Sequence, residues 1–331
     1  VTRRAPIAAG NPLTAVYSTR LRLERGIALI MVLWAIALLT VIAASYAFET
    51  RTEALLSANF VDKAKAEAAA EAGVKRAIAD LLQSDDSIFK SKRREESLRF
   101  ADADLRIAVV SEHGRIDLNA APDALIIHVA ERALAALPPE EGVTAESVAD
   151  SILDWRDADK TKRRYGAEDP DYRSAGKPYG AADQAFVSVS ELSLVQGISL
   201  DVYRELTKYF TVHTRASRVD PQAASKEVLM AIPGLTPEAV DAYVQERELA
   251  EDGATSRVPL DLLAAGASYL SRSRPTIYAV LAEARVPGGA VARSGVVLRL
   301  ARSRQSPYLV LARLAESDHG FDIFAEMNSS R

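Results

Sequence analysis

"RGIALIMVLWAIALLTVIAASYAFETR", Arg25 to Arg51, decides how this 331-residue chain is built. From Gly26 to Phe48 it runs 23 residues without a charge. A helix of that length covers about 34 Å, enough to cross the hydrocarbon core of a bilayer. Helical character does not stop at Phe48. The continuation "ETRTEALLSANFVDKAKAEAAAEAGVKRAIADLL" holds no proline and a single glycine, Gly73. Ala, Glu, Lys and Leu dominate it, all good helix formers. Leu55, Ala58, Ala69, Ala72, Ile78 and Leu82 recur near helical spacing. One helix over 27–83 is expected, apolar through 27–48 and amphipathic behind.

The charge around this helix is uneven. Residues 1–25 carry Arg3, Arg4, Arg20, Arg22 and Arg25 against Glu24 alone. A basic end before an apolar run stays in the cytoplasm and sends the following chain across the membrane. The rest of the chain is acidic, which disfavours a nucleic-acid partner, because phosphate binding needs a basic face. Three fates for the apolar run compete. A signal peptidase could cut behind it at Ser45-Tyr46-Ala47, it could stay as a plain anchor, or it could be cut in front, after Gly26, and kept.

Composition excludes several chemistries. There is no cysteine, so no disulfide, thiolate metal site or thiol nucleophile exists. The four histidines, His113, His128, His213 and His319, show no HExxH or HxH spacing, so a zinc site is not expected. No G-x-S-x-G, P-loop or G-x-G-x-x-G occurs.

Beyond the helix the pattern changes twice. Leu105–Ser111 has strand character. A stretch rich in helix signals follows, and "TIYAVLAEARV", "AVARSGVVLRLAR" and "YLVLARLAES" then read as strands joined by Pro287-Gly288-Gly289 and Gln305-Ser306-Pro307 turns. These strands meet the one near 105–111 only if 117–268 is an insertion in a sheet domain made of 84–116 and 269–326. Within the insertion "GRIDLNAAPDAL" is echoed by "SRVDPQAASKEVL". Arg115-Ile116-Asp117 aligns with Arg218-Val219-Asp220, Ala120-Ala121 with Ala223-Ala224, and Leu125 with Leu229 after one inserted residue. The second copy continues "LMAIPGLTPEAVDAYVQER", a helix-hairpin-helix pattern with Thr236 as N-cap and Pro237 at N1. Its flank is acidic and it lacks the Gly-x-Gly turn that grips phosphate, so protein packing is the expected use. Ser188-Val189-Ser190-Glu191 is a capping box at an expected helix start.

The densest chemical feature is "DWRDADKTKRRYGAEDPDYR", 154–173. Asp154, Asp157, Asp159, Glu168, Asp169 and Asp171 crowd together there, broken by Gly166 and Pro170. Clustered carboxylates on a loop suit Ca²⁺, a hard cation that takes oxygen ligands. The EF-hand spacing is absent. Arg156, Lys160, Lys162, Arg163 and Arg164 are interleaved, so a salt-bridged loop without metal fits the composition as well. A pair of these carboxylates could also do acid–base hydrolysis, but the two tryptophans, Trp34 and Trp155, offer no sugar-stacking platform.

A short basic leader ending in Gly26, followed by "IALIMVLWAIALLTVIAAS", resembles a type IV prepilin or pseudopilin N-terminus. Together with "LDWRDAD", "RRYGAEDPDYR" and "KPYGAADQAFVSVSEL", it resembles the K-type minor pseudopilins of the type II secretion system. The resemblance implies an α+β fold: a pilin-like long N-terminal helix and a small antiparallel sheet, interrupted by a large, mostly helical insertion with helix-hairpin-helix-like elements. It implies a leader over 1–26, of which Arg20–Gly26 is the working part, cleavage by prepilin peptidase between Gly26 and Ile27, and methylation of Ile27. Most pilins carry glutamate at the fifth mature position. Here that position is Met31, as in K-type subunits, and a subunit without this buried carboxylate needs no neighbour ahead of it.

The resemblance further implies structural Ca²⁺, with Glu168, Asp169 and Asp171 as ligands, Asp157 and Asp159 next, and Asp183 as a further oxygen donor. It implies a non-enzymatic subunit at the tip of the pseudopilus, assembling with minor pseudopilins I and J. The chain would be anchored once in the bacterial inner membrane, with its bulk in the periplasm. An alternative of a different class is a membrane-anchored periplasmic DNA-binding protein using the helix-hairpin-helix; a second alternative is a minor pilin of another type IV-like system.

Overall fold

The computed structural model describes residues 20–83, 94–249, 259–272, 275–301, 303, 305–316 and 319–324. Residues 1–19 of the expected leader and 84–93 of the expected sheet segment lie outside the described residues, as do 250–258 and 325–326. Helix α1 spans Arg20–Gln83, 64 residues without a break. The chain divides into two units, Val1–Val61 and Asp62–Arg331.

In the first unit α1 is long and apolar enough to cross a membrane. Its large side chains, from Ile27 and Leu29 through Trp34 to Phe48, are exposed. Its hydroxyls fold back on the helix. Thr40 Oγ1 donates to the Ile36 carbonyl at 2.7 Å and Thr50 Oγ1 to the Tyr46 carbonyl at 2.8 Å. Such back-bonds satisfy polar groups where no water is at hand.

The second unit begins with the rear of α1 lying on a five-stranded sheet. Strands β1 (Arg94–Phe100), β2 (Ala103–Ser111), β5 (Ile277–Arg285), β6 (Val291–Leu300) and β7 (Tyr308–Leu314) pair antiparallel in the order β1-β2-β5-β6-β7. Each strand therefore neighbours the next one in sequence once the long stretch between β2 and β5 is set aside. Alternation sorts the faces. Leu105, Ile107 and Val109 of β2 and Tyr278, Val280 and Ala282 of β5 pack in one cluster with Ala66, Ala70, Val74, Ala77 and Leu81 of α1. The buried stripe of α1 is small-residue rich, and at Gly73 a Cβ would sit 3.0 Å from Leu105 Cδ1 and 3.1 Å from Ala282 Cβ. Close approach of helix to sheet is thus built on residues without bulk. The stripe differs from the expected one: Leu55, Ala58 and Leu82 are exposed, and Ala66, Ala70 and Val74 take their place. On the opposite face Ala108 and Leu281 meet Phe321, Ile323 and Phe324 from the C-terminal segment. Arg106 Nη2 fastens that segment by donating to the Phe324 carbonyl at 2.5 Å.

Ser111 and Tyr278 are Cα partners in the β2–β5 ladder. The intervening chain therefore leaves and re-enters the sheet at adjacent positions. It has its own hydrophobic cluster, from Ile116 to Leu270, separate from the clusters of the sheet. Its elements are β3 (Ile116–Asp117), α2 (Asp123–Ala135), α3 (Ala145–Arg156), α4 (Asp169–Ser174), α5 (Leu200–Thr207), β4 (Phe210–Thr211), α6 (Lys226–Met230) and α7 (Pro237–Leu249). Strands β3 and β4 pair parallel.

The two echoed sequences fold alike. Asp117 Oδ1 accepts from the Asn119 amide at 3.0 Å, and Asp220 Oδ1 accepts from the Gln222 amide at 3.0 Å. Ala121 N donates to the Asp117 carbonyl at 2.9 Å, and Ala224 N to the Asp220 carbonyl at 3.0 Å. An arginine from the second helix of each pair then binds two carbonyls of the turn. Arg156 reaches those of Leu118 (2.5 Å) and Ala121 (3.0 Å), and Arg247 those of Pro221 (2.8 Å) and Ala224 (2.7 Å). The register needs no inserted residue. Asp123 and Lys226 both open their helices, so Leu125 matches Val228, not Leu229 as expected from sequence. The apolar pair Leu125-Ile126 and Val228-Leu229 allows either alignment, and the turn geometry decides.

Between α6 and α7 the Pro-Gly turn has Gly234 at φ +83°, and Thr236 Oγ1 accepts from the Ala239 amide at 3.3 Å. Glu191 Oε1 accepts from the Val187 and Ser188 amides at 2.8 and 2.9 Å, so the expected capping box is present, and the element it opens is a 3₁₀ helix, Val189–Leu194.

Candidate metal site in the acidic loop

Helix α3 starts with Thr144 and Ser147 exchanging amide bonds at 3.1 and 2.9 Å. Its last turn carries Asp154 and Trp155 inward. Trp155 packs against Tyr172, Tyr179 and Phe186, with ring centroids 5.8, 6.4 and 6.3 Å away. This aromatic cluster underlies the loop that runs from Asp157 to Ser188. Asn119 pins the loop's far end, donating to the Phe186 carbonyl at 2.9 Å and accepting from its amide at 2.8 Å. The acidic side chains are thus held over a rigid base.

Four cations lie among them. Arg163 donates from Nη1 to Asp154 Oδ1 at 3.0 Å and also pairs with Asp157 Oδ2. Lys162 Nζ meets Asp171 Oδ1 at 2.6 Å. Lys160 Nζ stands 3.6 Å from Asp169 Oδ2 and 3.5 Å from Asp183 Oδ2. Asp169 also faces Arg173 at 3.4 Å. Asp159 is exposed and accepts from the Thr161 amide at 2.7 Å.

Several oxygens remain without partners. Both oxygens of Glu168 are buried and unbonded, as are Asp157 Oδ1 and Asp183 Oδ1. Glu168 is 4% exposed. Burial pushes its carboxyl up to about 7, reinforced by Asp154, Asp183, Asp157 and Asp169 around it. Burial also raises Asp154, whereas its bonds to Arg163 act the other way. The hydrogen bond from Lys162 holds Asp171 below the usual carboxylate range. Two glycines keep the site open: a Cβ on Gly166 would fall 2.0 Å from Asp154 Oδ2, and one on Gly180 1.7 Å from Asp169 Oδ1.

The structure divides the expected ligands. Asp157, Glu168 and Asp169 surround one acidic centre with Asp183. Asp171 is engaged by Lys162 and by the Glu168 amide at 3.0 Å, and Asp159 holds its own turn. Asp154, absent from the expected ligand set, lies at the base of the site, fully buried. Its place on the inward face of α3 beside Ile152 and Leu153 is the signal that marks it. As the side chains lie, no three His, Asp or Glu residues among the described ones are close enough together to grip an ion. Ammonium and guanidinium groups occupy the gaps. The unbonded Glu168, Asp157 and Asp183 oxygens nevertheless supply the hard, anionic donors that Ca²⁺ takes.

Elsewhere, Gly26 and Ile27 lie within continuous α1, and Met31 is exposed on it. Comparison with known proteins joins both ends of this description. The model described as "Type II secretion system (T2SS), protein K" matches residues 114–215, which contain the acidic loop. The model described as "PilX N-terminal" matches 25–75, most of α1. Type II secretion system protein K of Pseudomonas aeruginosa is 28% identical over 263 residues, covering 71% of this chain and 77% of that one. Over most of its length the chain is similar to type II secretion protein K. The protein K of Pectobacterium carotovorum subsp. carotovorum is 41% identical over 70 residues, 21% of each chain. Among solved structures, the GspK–GspI–GspJ complex of enterotoxigenic Escherichia coli contains a chain that matches with a TM-score of 0.54 at 15% identity, covering 80% of this chain and 98% of that one. That likeness shows the α+β fold of a protein K subunit. Together these matches support a minor pseudopilin of type II secretion.

Proposed function

We propose that this subunit caps the tip of the type II secretion pseudopilus and helps start its assembly, without catalysis of its own. The observation that carries this reading is the insertion between β2 and β5, a body with its own core hung on one sheet connection. A subunit inside a filament must leave room for the next one, and a terminal subunit need not. Met31 supports the same position. A carboxylate at that depth would need a partner, and a subunit without one needs nothing ahead of it. Minor pseudopilins I and J are the proposed partners, in keeping with the complex named for the similar structure. Prepilin peptidase would cut between Gly26 and Ile27 and methylate Ile27, leaving α1 in the inner membrane and the sheet and insertion in the periplasm. N-terminal sequencing of the membrane-extracted protein tests this: Ile27 is expected, and a terminus near Phe48 would remove the reading.

We further propose that the acidic loop holds structural Ca²⁺. Glu168, Asp157, Asp169 and Asp183 are the residues that would hold it, with Asp159 and Asp171 at the margin. The ion would supply positive charge to buried carboxylates that otherwise repel each other, and so fix the loop. Calcium added to chelator-treated protein is expected to raise its melting temperature. No heat on titration and no thermal shift would sink the reading.

A further inference from the structure

We propose that Lys160 is a built-in competitor for calcium: its ammonium occupies the gap between Asp169 and Asp183 and is displaced when the ion arrives, while Arg163 stays. This rests on the calcium reading above. The cations of the loop are not equivalent. Arg163 bonds the fully buried Asp154 through both its guanidinium and its backbone amide, at 3.0 and 3.2 Å, and shares Asp157. Removing it would leave a buried carboxylate uncompensated, which is costly. Lys160 is different. Its side chain is 70% exposed, and it meets Asp169 and Asp183 only at 3.6 and 3.5 Å. A lysine head on a flexible stem can swing into water at small cost.

The geometry also says which oxygens the exchange would free. Lys160 contacts Oδ2 of Asp183, whose Oδ1 is buried and unbonded, and Asp183 stands at φ +49°, a left-handed conformation that fixes its direction. Glu168, adjoining Asp169, has no partner for either oxygen. One exposed ammonium thus stands beside a set of carboxylates that it only partly satisfies. A divalent ion would bind all of them at once. The consequence is that calcium affinity is set below what the carboxylates alone would give, because each binding event must break two ion pairs.

The test is calorimetric titration of CaCl₂ into the full-length, detergent-solubilised protein after chelator treatment. Wild type, K160M and K208M are compared at fixed ionic strength. Lys208 pairs with Glu205 at 2.6 Å at the C-terminal end of α5 and controls for the lost net charge. Two exposed pairs of ordinary strength predict that K160M binds calcium about five-fold more tightly than wild type, and that K208M matches wild type. Equal affinity in wild type and K160M overturns the role of Lys160 and leaves the calcium reading standing. An equal gain in K160M and K208M also overturns it, by assigning the effect to net charge. No binding by any of the three overturns the calcium reading, and this proposal with it.

Discussion

His113 shows how much of a residue's role depends on what it is folded against. The sequence offers it as one of four histidines with no metal spacing. In the structure it sits where the chain leaves the sheet for the insertion. Its Nε2 accepts from the Thr276 amide at 3.5 Å, and its carbonyl accepts from the Asp220 amide at 2.8 Å. It thus ties the departing chain to the returning one. Burial lowers its pKa, against the opposing pull of Asp220 and Glu112, the charged groups that face it. The neutral ring is also the form that can accept from Thr276. Because the folded pKa lies below the unfolded value, the unfolded chain takes up the proton first as pH falls. Stability from this residue is present above about pH 6.5 and is lost below it. H113Q, which can still accept a bond, is expected to remove that share. Melting temperatures of wild type and H113Q between pH 7.5 and 5.5 check this: the wild type should lose ground to the variant as pH falls. A constant difference would exclude titration of His113. Glu168 repeats the lesson. That it is acidic is plain from sequence, but that both its oxygens lack partners is a property of the packed loop.

At the scale of elements, legibility follows the clarity of the periodic signal. Helix α1 is readable because its composition is uniform over many turns, and β5 to β7 because apolar runs stand between turn residues. Strand β1 is not readable. "REESLRF" is mostly polar, as suits an edge strand that must not pair with strangers, and its turn uses Ala101 at φ +52° where glycine or asparagine would have signalled it. The paired turns of the insertion were visible as an echo, but not the arginines that hold them. Arg156 and Arg247 lie far downstream of their turns, and nothing local marks them. Each donates to two buried turn carbonyls, and Arg156 is buried enough that its pKa is lowered by desolvation. Methionine keeps the stem and deletes the donors. R247M is expected to cost about 2 kcal/mol, the worth of bonds to a charged donor together with the carbonyls left unpaired, and R156M at least as much. Urea unfolding of the solubilised chain would show this as a lower midpoint at unchanged slope. A shift under about 0.5 kcal/mol in both, the range of ordinary surface substitutions, would mean that water replaces the clamp.

The whole molecule is a simple meander carrying a large passenger. Five antiparallel strands follow in sequence order, with the rear of α1 on one face and Phe321, Ile323 and Phe324 on the other. The passenger enters at Ser111 and returns at Tyr278, which face each other across the ladder. Opposed residues in an antiparallel pair are what a two-residue turn joins. Replacing residues 112–277 by Asn-Gly therefore closes β2 and β5 into an ordinary hairpin. The cluster around Leu105, Tyr278 and Leu298 contains none of the excised residues, although the Tyr278 hydroxyl loses the Pro275 carbonyl to which it donates at 3.1 Å; on the far face Ala279 and Val297 lose Ile277. The shortened chain is expected to fold, with strand content kept and cooperative melting at a reduced temperature. An aggregated or non-cooperative product would show instead that sheet and passenger are one folding unit. If the insertion is what makes this subunit terminal, the shortened chain should remain in the membrane yet fail to restore secretion in a strain lacking the subunit. Restored secretion by a folded deletion would place the capping role in α1 and the sheet, and would leave Met31, not the passenger, as the feature that sets its position.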